Sequence, residues 1–330
     1  DFVRPARPFV IAEIGNNHEG DMGVARELVY AAQEAKVDAV KFQAIVPRKL
    51  CSADQTQRIN QLEKFCLTYD QFQELSELSS KLGLIFFTSV FDLDIVDQLS
   101  KIQPIFKISS GDNTYSDLID KVASTDSPVI ISTGGLLFDE IDQLRSSFLA
   151  KQPDTDKLAL LHCISNYPTL PENAQLAMIE TMRLRYPDIT IGYSDHTMGN
   201  DACFLAASMG AQILEKHFTI SHTYSDFRDH ALSADPKQML ELMDRLPEAY
   251  SYAGRLKQTS SRTDLLMTGV RRKAIACRPI SVGEKFSKDN IEWLRITEDK
   301  GVADRNTLYG SVSVSNLDSG SIITLDDVLS

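Results

Sequence analysis

Two short stretches of sequence decide the fold: IGYSDHTMG, residues 191–199, and ILEKHFT, residues 213–219. Each begins with an apolar run and then supplies one histidine, His196 or His217. Runs that are apolar on both faces are typical of parallel strands, because helices cover both sides of a parallel sheet. The two stretches therefore predict neighbouring buried strands that each end in an imidazole.

Runs of this kind occur eight times along the chain, and helical patterns separate them. They are FVIAEI (9–14), DAVKFQ (38–43), LIFFTS (84–89), IFKISS (105–110), PVIIST (128–133), LALLHC (158–163), ITIGYS (189–194) and QILEKHF (212–218). Alternating strands and helices are typical of α/β proteins built from βα units. Eight such units favour a (β/α)8 barrel, the TIM barrel. A doubly wound sheet is the alternative, although no GxGxxG motif follows the first run.

A long segment, VPRKLCSADQTQRINQLEKFC (46–66), separates the second run from the third. It would lie at the carboxyl ends of the strands, where the loops of a barrel build active sites. Long loops inside a compact domain tend to be functional, so we interpret this one as a lid or a wall of the substrate site. A simple surface excursion is the alternative.

The composition of the chain changes after the polar segment KQTSSRTD (257–264). We therefore assign residues 1–258 to the barrel, 259–268 to a linker and 269–330 to a small β-rich domain. Within that last part, ISVGEKFSKDNI and LDSGSIITLDDV begin 37 residues apart and share glycine at their fourth place and an acidic residue at their tenth. Two such copies predict a pseudo-symmetric module.

The composition of the chain argues against nucleic-acid-binding, disulfide-rich and membrane-spanning proteins. The net charge of -12 leaves no sequence-wide basic footprint for nucleic acid. Five cysteines, an odd number with no CxxC pair, favour reduced thiols and a cytoplasmic protein over a disulfide framework. No apolar run approaches the roughly 20 residues of a membrane span, and no signal peptide is recognisable.

Polar side chains collect at the carboxyl ends of the predicted strands, where a barrel places its catalytic groups. They are Glu13, Lys41, Gln43, Thr88, Lys107, Ser109, Ser110, Thr133, Ser165, Ser194, His196 and His217. One polar residue at a strand end is usually a cap or a turn former. A polar group at nearly every strand end, with two lysines, two histidines and a glutamate among them, indicates an active site.

Lys41 and Lys107 lie inside apolar strands, where an unpaired charge is costly. One interpretation is an ion pair with Glu13 or Asp112. The functional interpretation is an anion site, most simply for phosphate, in which nearby serine and threonine hydroxyls supply neutral donors. The two interpretations stay open at this point.

His196 and His217 would lie on adjacent strands and could direct one imidazole each to a single divalent ion. The alternative is a pair of core histidines bonded to backbone carbonyls. Two histidines with positions left for water or substrate oxygen suit Mn²⁺, Mg²⁺ or Co²⁺ acting as a Lewis acid. Of the other histidines, His162 fits buried structure, His222 fits loop surface, and His230 fits a place near the mouth of the barrel.

Eight motifs, in order, resemble the sialic acid synthase family, whose members condense phosphoenolpyruvate with an N-acetylmannosamine-type sugar. They are IAEIGNNHEGD (11–21), AVKFQ (39–43), FKISSGD (106–112), STGG (132–135), LHCISNYP (161–168), IGYSDHT (191–197), LEKHFT (214–219) and DHALS (229–233). The C-terminal part resembles that family's SAF, or antifreeze-protein-like, domain. The resemblance covers residues 9–328 and implies a TIM barrel followed by a SAF domain.

The resemblance also implies roles for individual residues. His196 and His217 would be metal ligands, and Glu13 would handle a proton near C1 of the sugar. The phosphoenolpyruvate ligands would be Lys41, Thr88, Lys107, Ser110, Ser165 and Ser194. The sugar would contact Gln43, Asp112, Tyr167 and Asp229. Arg295 would enter the mouth of the partner subunit, which implies a domain-swapped homodimer.

The sequence departs from the family pattern at TSVF (88–91), where the family often shows TPF, and at LRITEDKG (294–301), which lacks the proline of a KRPG turn. These departures concern the orientation of Thr88 and Arg295. Three functions remain as alternatives: a related synthase for another surface or spore-coat sugar, a Schiff-base aldolase acting on a phosphosugar, and a non-catalytic binding barrel. The intact set of polar residues at the strand ends argues against the last.

Overall fold

Eight parallel strands form a closed barrel in chain order. The computed structural model describes residues 6–253, 271–298 and 300–329. Chain contacts divide the protein into two units, residues 1–254 and 255–330. The predicted linker, 259–268, lies outside the described residues.

The bounds of the barrel elements follow the predicted alternation. The strands are β1 (Phe9–Gly15), β2 (Ala39–Ala44), β3 (Ile85–Val90), β4 (Phe106–Ile108), β5 (Val129–Ser132), β6 (Leu158–Cys163), β7 (Thr190–Asp195) and β8 (Ile213–His217). The helices are α1 (Met22–Glu34), α2 (Pro47–Leu50), α3 (Thr56–Phe65), α4 (Tyr69–Lys81), α5 (Val96–Leu99), α6 (Ser116–Ala123), α7 (Phe138–Lys151), α8 (Ala177–Arg185), α9 (Asp201–Ser208), α10 (Arg228–Leu232) and α11 (Pro236–Ala253).

Strand β1 closes the barrel because it pairs with both β2 and β8. Glu13 lies opposite Lys41 in the first ladder and opposite His217 in the second. A doubly wound sheet has two free edges, so this pairing excludes the alternative topology. The closure also brings the first and last strands of the barrel to one side of its mouth.

The side chains inside the barrel come from alternate residues of each strand. The inner apolar cluster consists of Phe9, Ile11, Ala39, Phe87, Ile105, Ile130, Ala159, Leu161 and Ile213. A larger apolar cluster lies between the outer face of the barrel and its helices. Because successive strand residues point to opposite faces, the next inward position on each strand faces the carboxyl-end mouth.

Local signals explain several element bounds. The Asp21 side chain caps α1 by accepting hydrogen bonds from the backbone N–H groups of Gly23 and Val24. Thr68 and Gln71 form a capping box that begins α4. At Gly192, a Cβ would lie 2.5 Å from the backbone oxygen of Ile213, so only glycine lets β7 approach β8 this closely.

The segment at 46–66 forms α2 and α3, which follow β2 at the carboxyl end of the barrel. Phe65, at the end of α3, packs edge-on against Phe227 with ring centroids 5.2 Å apart. This contact joins the insertion to the loop that follows β8. In the described parts of the chain, no helix combines the length and apolar character needed to cross a membrane.

The second unit contains two small antiparallel sheets. They are formed by β9 (Arg272–Ala276) with β10 (Ile291–Arg295), and by β11 (Val312–Ser313) with β12 (Val328–Leu329); the helix α12 (Arg305–Leu308) lies between β10 and β11 in the sequence. The first residues of the two sequence copies, Ile280 and Leu317, exchange both backbone hydrogen bonds at 2.8 Å. This reciprocal pairing is consistent with the predicted pseudo-symmetry.

Candidate active site

A cavity of about 1060 Å³ lies at the carboxyl ends of the barrel strands. Most of the polar residues that were predicted from the strand ends or implied by the family resemblance line it together. They are Glu13, Lys41, Gln43, Lys107, Ser110, Asp112, Ser165, Tyr167, Ser194, His196, His217 and Asp229. The side chains with the predicted anion-binding and metal-binding roles therefore share one cavity.

Thr133 lies outside the cavity, where its hydroxyl donates to the Leu161 carbonyl at 3.1 Å, so the expectation that it faces the site is corrected. The expectation that Thr88 faces the site is corrected as well. Its hydroxyl donates to Gln103 Oε1 at 2.9 Å, and its side chain is fully buried outside the cavity. The next residue, Ser89, lines the cavity and accepts a hydrogen bond of 2.9 Å from Lys41 Nζ. Strand alternation is the reason, because Phe87 and Ser89 point inward and Thr88 must point outward.

Glu13 and Lys41 form a buried ion pair of 2.6 Å across the β1–β2 ladder. The other carboxylate oxygen of Glu13 accepts from Gln43 Nε2 at 3.1 Å, and Asn16 donates to Gln43 Oε1 at 2.9 Å. Burial raises the pKa of Glu13 despite the neighbouring ammonium. A carboxyl group whose pKa is raised in this way can hold or release a proton nearer to neutral pH.

Glu215 belongs to the same charge cluster, and sequence reasoning did not select it. It lies 3.6 Å from Lys41 Nζ and accepts a hydrogen bond of 2.9 Å from the Ser194 hydroxyl. Burial opposes its ionisation, but the charges of Lys107 and Lys41 outweigh burial and lower its pKa. The signal was available, since Glu215 precedes His217 by two residues and shares its face of the strand.

Lys107 lies on β4, and its partners among the described residues are a hydroxyl and a carbonyl group. Its Nζ donates to the Ser132 hydroxyl at 2.7 Å and to the Ile108 carbonyl at 2.8 Å. Burial lowers its pKa, although Glu215 partly opposes the shift. A desolvated ammonium without a contacting carboxylate gains strongly from the arrival of an anion.

Gly134 leaves a recess between two serine hydroxyls. A Cβ at this position would lie 2.6 Å from Ser110 Oγ and 2.7 Å from Ser165 Oγ. The backbone N–H of Gly134 itself donates to Ser110 Oγ at 3.2 Å. Two hydroxyls that converge on a glycine, in the cavity that Lys107 also lines, form a set of donors suited to a phosphate group.

His196 is held in one orientation by its backbone neighbourhood. Its Nδ1 bonds to the Ile164 carbonyl at 2.7 Å, so this nitrogen carries a proton and Nε2 offers a lone pair when the ring is neutral. Burial opposes a charge on the ring, but the neighbouring Cys163 thiol outweighs burial and raises the pKa of His196, so an ion bound at Nε2 would compete with a proton there. The ring of Tyr167 contacts the His196 ring at a tilt of 32°, with centroids 4.0 Å apart. These contacts present an imidazole lone pair to the cavity, as a metal ligand requires.

His217 completes a pair of histidines whose ring centroids lie 5.4 Å apart. Burial, together with the charge of His196, lowers its pKa well below the usual range, so the ring is neutral at pH 7. Its buried Nδ1 has no hydrogen-bond partner among the described residues. Both rings therefore fit a divalent ion through their lone pairs.

The protein would supply only part of the coordination of such an ion. Within the ranges that the structure describes, no group of three or more His, Cys, Asp or Glu side chains is arranged to hold a metal. Water or substrate oxygen would have to complete the coordination around His196 and His217. An open site of this kind suits a catalytic ion rather than a closed structural one.

The outer part of the cavity carries further polar groups. Asp229 is almost completely buried, and burial raises its pKa although Arg228 contacts it at 3.2 Å. The Arg228 guanidinium lies over the Tyr167 ring, 4.9 Å from its centroid. Asp112 accepts a hydrogen bond of 2.6 Å from Ser109, and burial raises its pKa as well.

The insertion forms part of the cavity wall, as the sequence suggested. Its contributing side chains are Leu50, Gln57, Arg58, Gln61 and Leu62. His162 and His222 do not line the cavity. His162 is buried against the Ala174 carbonyl, and His222 contacts Gln238. His230 is buried between Thr219 and Glu19, where it anchors α10, the short helix that also carries Asp229.

Arg295 lies in the second unit, at the exposed end of β10. It pairs with Arg272 in the β9–β10 ladder. Its predicted role at the mouth of a partner's barrel therefore stays a prediction.

Comparisons with known proteins agree on one family. The NeuB family model matches residues 28–258, and the SAF domain model matches residues 271–329. An uncharacterized protein of Methanocaldococcus jannaschii is 37% identical over 294 residues, which cover 87% of this chain and 84% of that protein. The N,N'-diacetyllegionaminic acid synthase of Legionella pneumophila is 31% identical over 340 residues, with 97% of this chain and 94% of that protein covered. A crystal structure of N-acetylneuraminic acid synthetase from Leptospira borgpetersenii has a TM-score of 0.75 and 32% identity, covering 80% of this chain and 91% of that one.

Proposed function

The chain belongs to the NeuB family of sialic acid synthases, and from this premise we propose that it condenses phosphoenolpyruvate with an N-acetylmannosamine-type aldose. The products would be a nine-carbon 2-keto sugar acid and inorganic phosphate. The observation that carries the proposal is the convergence of Glu13, Lys41, Lys107 and His217 on one cavity of about 1060 Å³. A barrel that served only as a scaffold would have little reason to bury four ionisable groups together.

The enol phosphate would bind on the side of the cavity formed by β2 to β6. The hydroxyls of Ser110 and Ser165 converge on Gly134, and Lys107 lines the same cavity through a contact with Ser132. These groups suit the phosphate, because among the described residues no carboxylate is in contact with Lys107. Lys41 and Ser89 suit the carboxylate. Fixing both ends of phosphoenolpyruvate would hold its C3 carbon in position to attack, and positioning of this kind can lower a barrier by several kcal/mol.

A divalent ion, Mn²⁺, Mg²⁺ or Co²⁺, would be held by His196 and His217 and would supply Lewis-acid chemistry toward an oxygen of the sugar aldehyde. The fixed tautomer of His196 and the neutral ring of His217 support this assignment. The ring of Tyr167, which contacts both imidazoles, would limit the access of bulk water to them.

The chemistry would proceed through attack of C3 on the aldehyde carbon. A new C–C bond forms, the aldehyde oxygen becomes a hydroxyl group after it gains a proton, and positive character develops at C2. Water adds to C2, and the tetrahedral product loses phosphate by cleavage of the C–O bond. The 2-keto acid remains.

Glu13 is the group in this cavity best suited to move a proton. Burial raises its pKa, and Gln43 and Lys41 hold its two oxygens in place. It would assist opening of the sugar ring or remove a proton from the water that attacks C2. Either role requires a carboxyl group that can change its protonation state during the cycle.

The acceptor sugar would lie in the outer part of the cavity, against Gln43, Asp112, Tyr167 and Asp229. We assign the wall formed by the 46–66 segment to recognition of the substituents at C4 and C6 of the sugar. Arg295 would reach this region from the partner subunit of a domain-swapped homodimer. Mixing Arg295→Ala and His217→Ala chains tests the dimer, because hybrid sites should regain activity and an absence of rescue would count against a shared mouth.

A substrate panel tests the proposed reaction. Phosphoenolpyruvate is combined with N-acetylmannosamine or a 2,4-diacetamido-6-deoxy aldose, in the presence of each divalent ion, and phosphate release and 2-keto acid formation are both measured. The expected result is sugar-dependent phosphate release that His217→Ala abolishes while its circular dichroism spectrum is unchanged. Phosphate release that does not depend on any sugar would contradict the proposal. If the acceptor is instead another sugar for a spore coat or other surface polysaccharide, phosphate release should occur only with a further aldose added to the panel.

One observation favours a second candidate, a Schiff-base aldolase. Lys107 is desolvated, its pKa is lowered, and it forms no ion pair within the described part of the chain. Those properties suit a lysine that attacks a carbonyl group. Borohydride with pyruvate would trap Lys107 covalently in an aldolase, and it would leave the proposed synthase unmodified.

A further inference from the structure

A buried ion pair lies directly behind the two histidines, on the outer face of the barrel wall. Lys216 Nζ lies 2.7 Å from Asp195 Oδ2, and neither side chain is exposed to solvent. Asp195 immediately precedes His196, and Lys216 immediately precedes His217. The proposed reaction assigns no role to this pair.

The register of the strands connects the ion pair to the imidazoles. Asp195 and Lys216 are the last paired residues of the β7–β8 ladder. Successive residues of a strand point to opposite faces, so the next residue of each strand, His196 or His217, turns its side chain to the inner face. The ion pair therefore joins the two strands at the positions from which the histidines project.

The same charges also hold the turn that contains His196. Lys216 Nζ donates to the backbone carbonyl of Thr197 at 2.6 Å, and Asp195 Oδ1 accepts from the backbone N–H of Thr197 at 2.8 Å. His196 thus lies between Asp195, which belongs to the pair, and Thr197, which contacts both members of it. Its own carbonyl accepts from Thr169 N at 2.8 Å, which fixes the backbone from a third direction.

The two charged side chains have several hydrogen-bond partners, but removing both charges from water costs free energy. Asp195 also accepts from the Tyr193 hydroxyl at 3.0 Å and from the Cys203 thiol at 3.3 Å. Buried ion pairs are weak contributors to stability, and apolar pairs of similar size are often as good or better. An ion pair retained at this place is better explained by the geometry it imposes than by the stability it adds.

We propose that the Asp195–Lys216 ion pair is a positioning device that sets the spacing of the His196 and His217 imidazoles and thereby the affinity of the site for its divalent ion. This inference rests on the proposed function, which assigns the two histidines to a metal. Neither Asp195 nor Lys216 lines the cavity, so they act on the ion through the histidines that follow them. Partners that orient histidine ligands from behind change metal affinity about 10–100-fold when they are altered.

The test is the double variant Asp195→Asn with Lys216→Met, which removes both charges and keeps their approximate shape. It should retain the wild-type circular dichroism spectrum and melting temperature within a few degrees. Its Kd for Mn²⁺, measured by calorimetry on the full-length protein, should rise about 10–100-fold. A folded double variant that binds Mn²⁺ with the wild-type Kd would overturn the inference.

Two further variants separate positioning from general structure. Tyr193→Phe removes one hydrogen bond to Asp195 and leaves the ion pair intact. Its Kd for Mn²⁺ should therefore stay within about twofold of the wild-type value, well short of a tenfold change. If the double variant does not fold, Asp195→Asn with Lys216→Gln restores a neutral polar contact and decides the matter by the same measurement. A Tyr193→Phe loss as large as that of the double variant would indicate a merely structural role.

Failure of the inference is distinguishable from failure of the proposed function. Binding of Mn²⁺ to wild type but not to His217→Ala supports the metal site, whatever the double variant does. If wild type binds no better than His217→Ala, the metal site and this inference both fall. Condensation is measured separately as sugar-dependent phosphate release, so the proposed reaction is judged by its own assay.

Discussion

The ammonium group of Lys41 lies 2.6 Å from the Glu13 carboxylate and 3.6 Å from that of Glu215, and all three side chains are almost completely buried. One cation is therefore shared by two carboxyl groups. Burial raises the pKa of Glu13, whereas Lys107 and Lys41 lower that of Glu215 against the effect of burial. Binding of an anion beside Lys41 would add a further negative charge, and Glu13 is the carboxyl group that would most readily take up a proton in response.

The first prediction concerns Glu13→Gln. The amide keeps the size of the side chain but can neither hold nor release a proton, so kcat for condensation should fall by about 10²–10⁴. The fold should survive because Lys41 keeps Glu215 and Ser89 as partners. Phosphate release and circular dichroism check both points. A kcat within a few-fold of wild type would remove Glu13 from its assigned role.

The second prediction separates Thr88 from Ser89. Ser89→Ala removes a hydroxyl that contacts Lys41 in the cavity, and the KM for phosphoenolpyruvate should rise about tenfold, equivalent to about 1.4 kcal/mol. Thr88→Val leaves the buried amide oxygen of Gln103 without its donor and should cost about 1–3 kcal/mol of unfolding free energy.

Steady-state kinetics and denaturant unfolding of the same two proteins decide between these effects. Thr88→Val should keep the wild-type KM, and Ser89→Ala should keep the wild-type stability within about 1 kcal/mol. The opposite pattern, with KM altered by Thr88→Val alone, would restore the original expectation for Thr88.

The error at Thr88 illustrates what the sequence could and could not predict. The eight strands and the closed barrel followed from apolar runs and their number. Both faces of a parallel barrel strand are buried, so hydrophobicity alone does not tell which residues point inward. Thr88 and Ser89 are equally plausible as donors until the register of β3 against β2 is known. That register, Gln43 opposite Ser89, is a property of the folded barrel.

Glu215 was missed for a different reason. It follows Leu214 and precedes Lys216, so it resembles one member of an ordinary surface ion pair. In the structure Lys216 turns outward to Asp195, and Glu215 turns inward to Ser194. Because Glu215 and His217 are two residues apart on one strand, they point to the same face, and this spacing could have assigned Glu215 to the site. The hydrogen-bond partners of each group depend on the stagger between strands, which no single strand sequence contains.

The third prediction concerns the recess at Gly134. In Gly134→Ala the new methyl group would lie within 2.7 Å of the Ser110 and Ser165 hydroxyls, which must then move apart. We expect the KM for phosphoenolpyruvate to rise about tenfold or more, while the fold is retained because the crowded atoms are ends of side chains. Binding of inorganic phosphate, measured by calorimetry, should weaken in parallel.

Gly111→Ala is the matched control for Gly134→Ala. A Cβ at Gly111 would lie 3.8 Å from Ser109 Oγ, an ordinary contact distance. Its KM for phosphoenolpyruvate and its affinity for phosphate should therefore stay close to those of wild type. If both variants weaken phosphate binding equally, the loss reflects backbone stiffening and not the filled recess.

The last prediction concerns the dependence of stability on pH. His18 is fully buried against Phe42, its Nδ1 accepts from the backbone N–H of Gly20 at 3.0 Å, and burial lowers its pKa from 6.5 to about 4. As the pH falls below 6.5 the unfolded chain takes up a proton at this ring, and the folded chain does so only near pH 4. The unfolding free energy of the wild type should therefore fall between these two values, by roughly 3 kcal/mol from this ring alone.

His18→Asn removes that proton uptake and keeps a side-chain acceptor for Gly20. Its unfolding free energy should change less steeply with pH than that of wild type between pH 6.5 and about 4, while the two proteins should run parallel above pH 7. Denaturant unfolding at several pH values measures both curves, and other titrating groups cancel in their difference. Curves that stay parallel down to pH 4.5 would mean that the folded protein already accepts a proton at His18, and that burial of this ring does not oppose its charge.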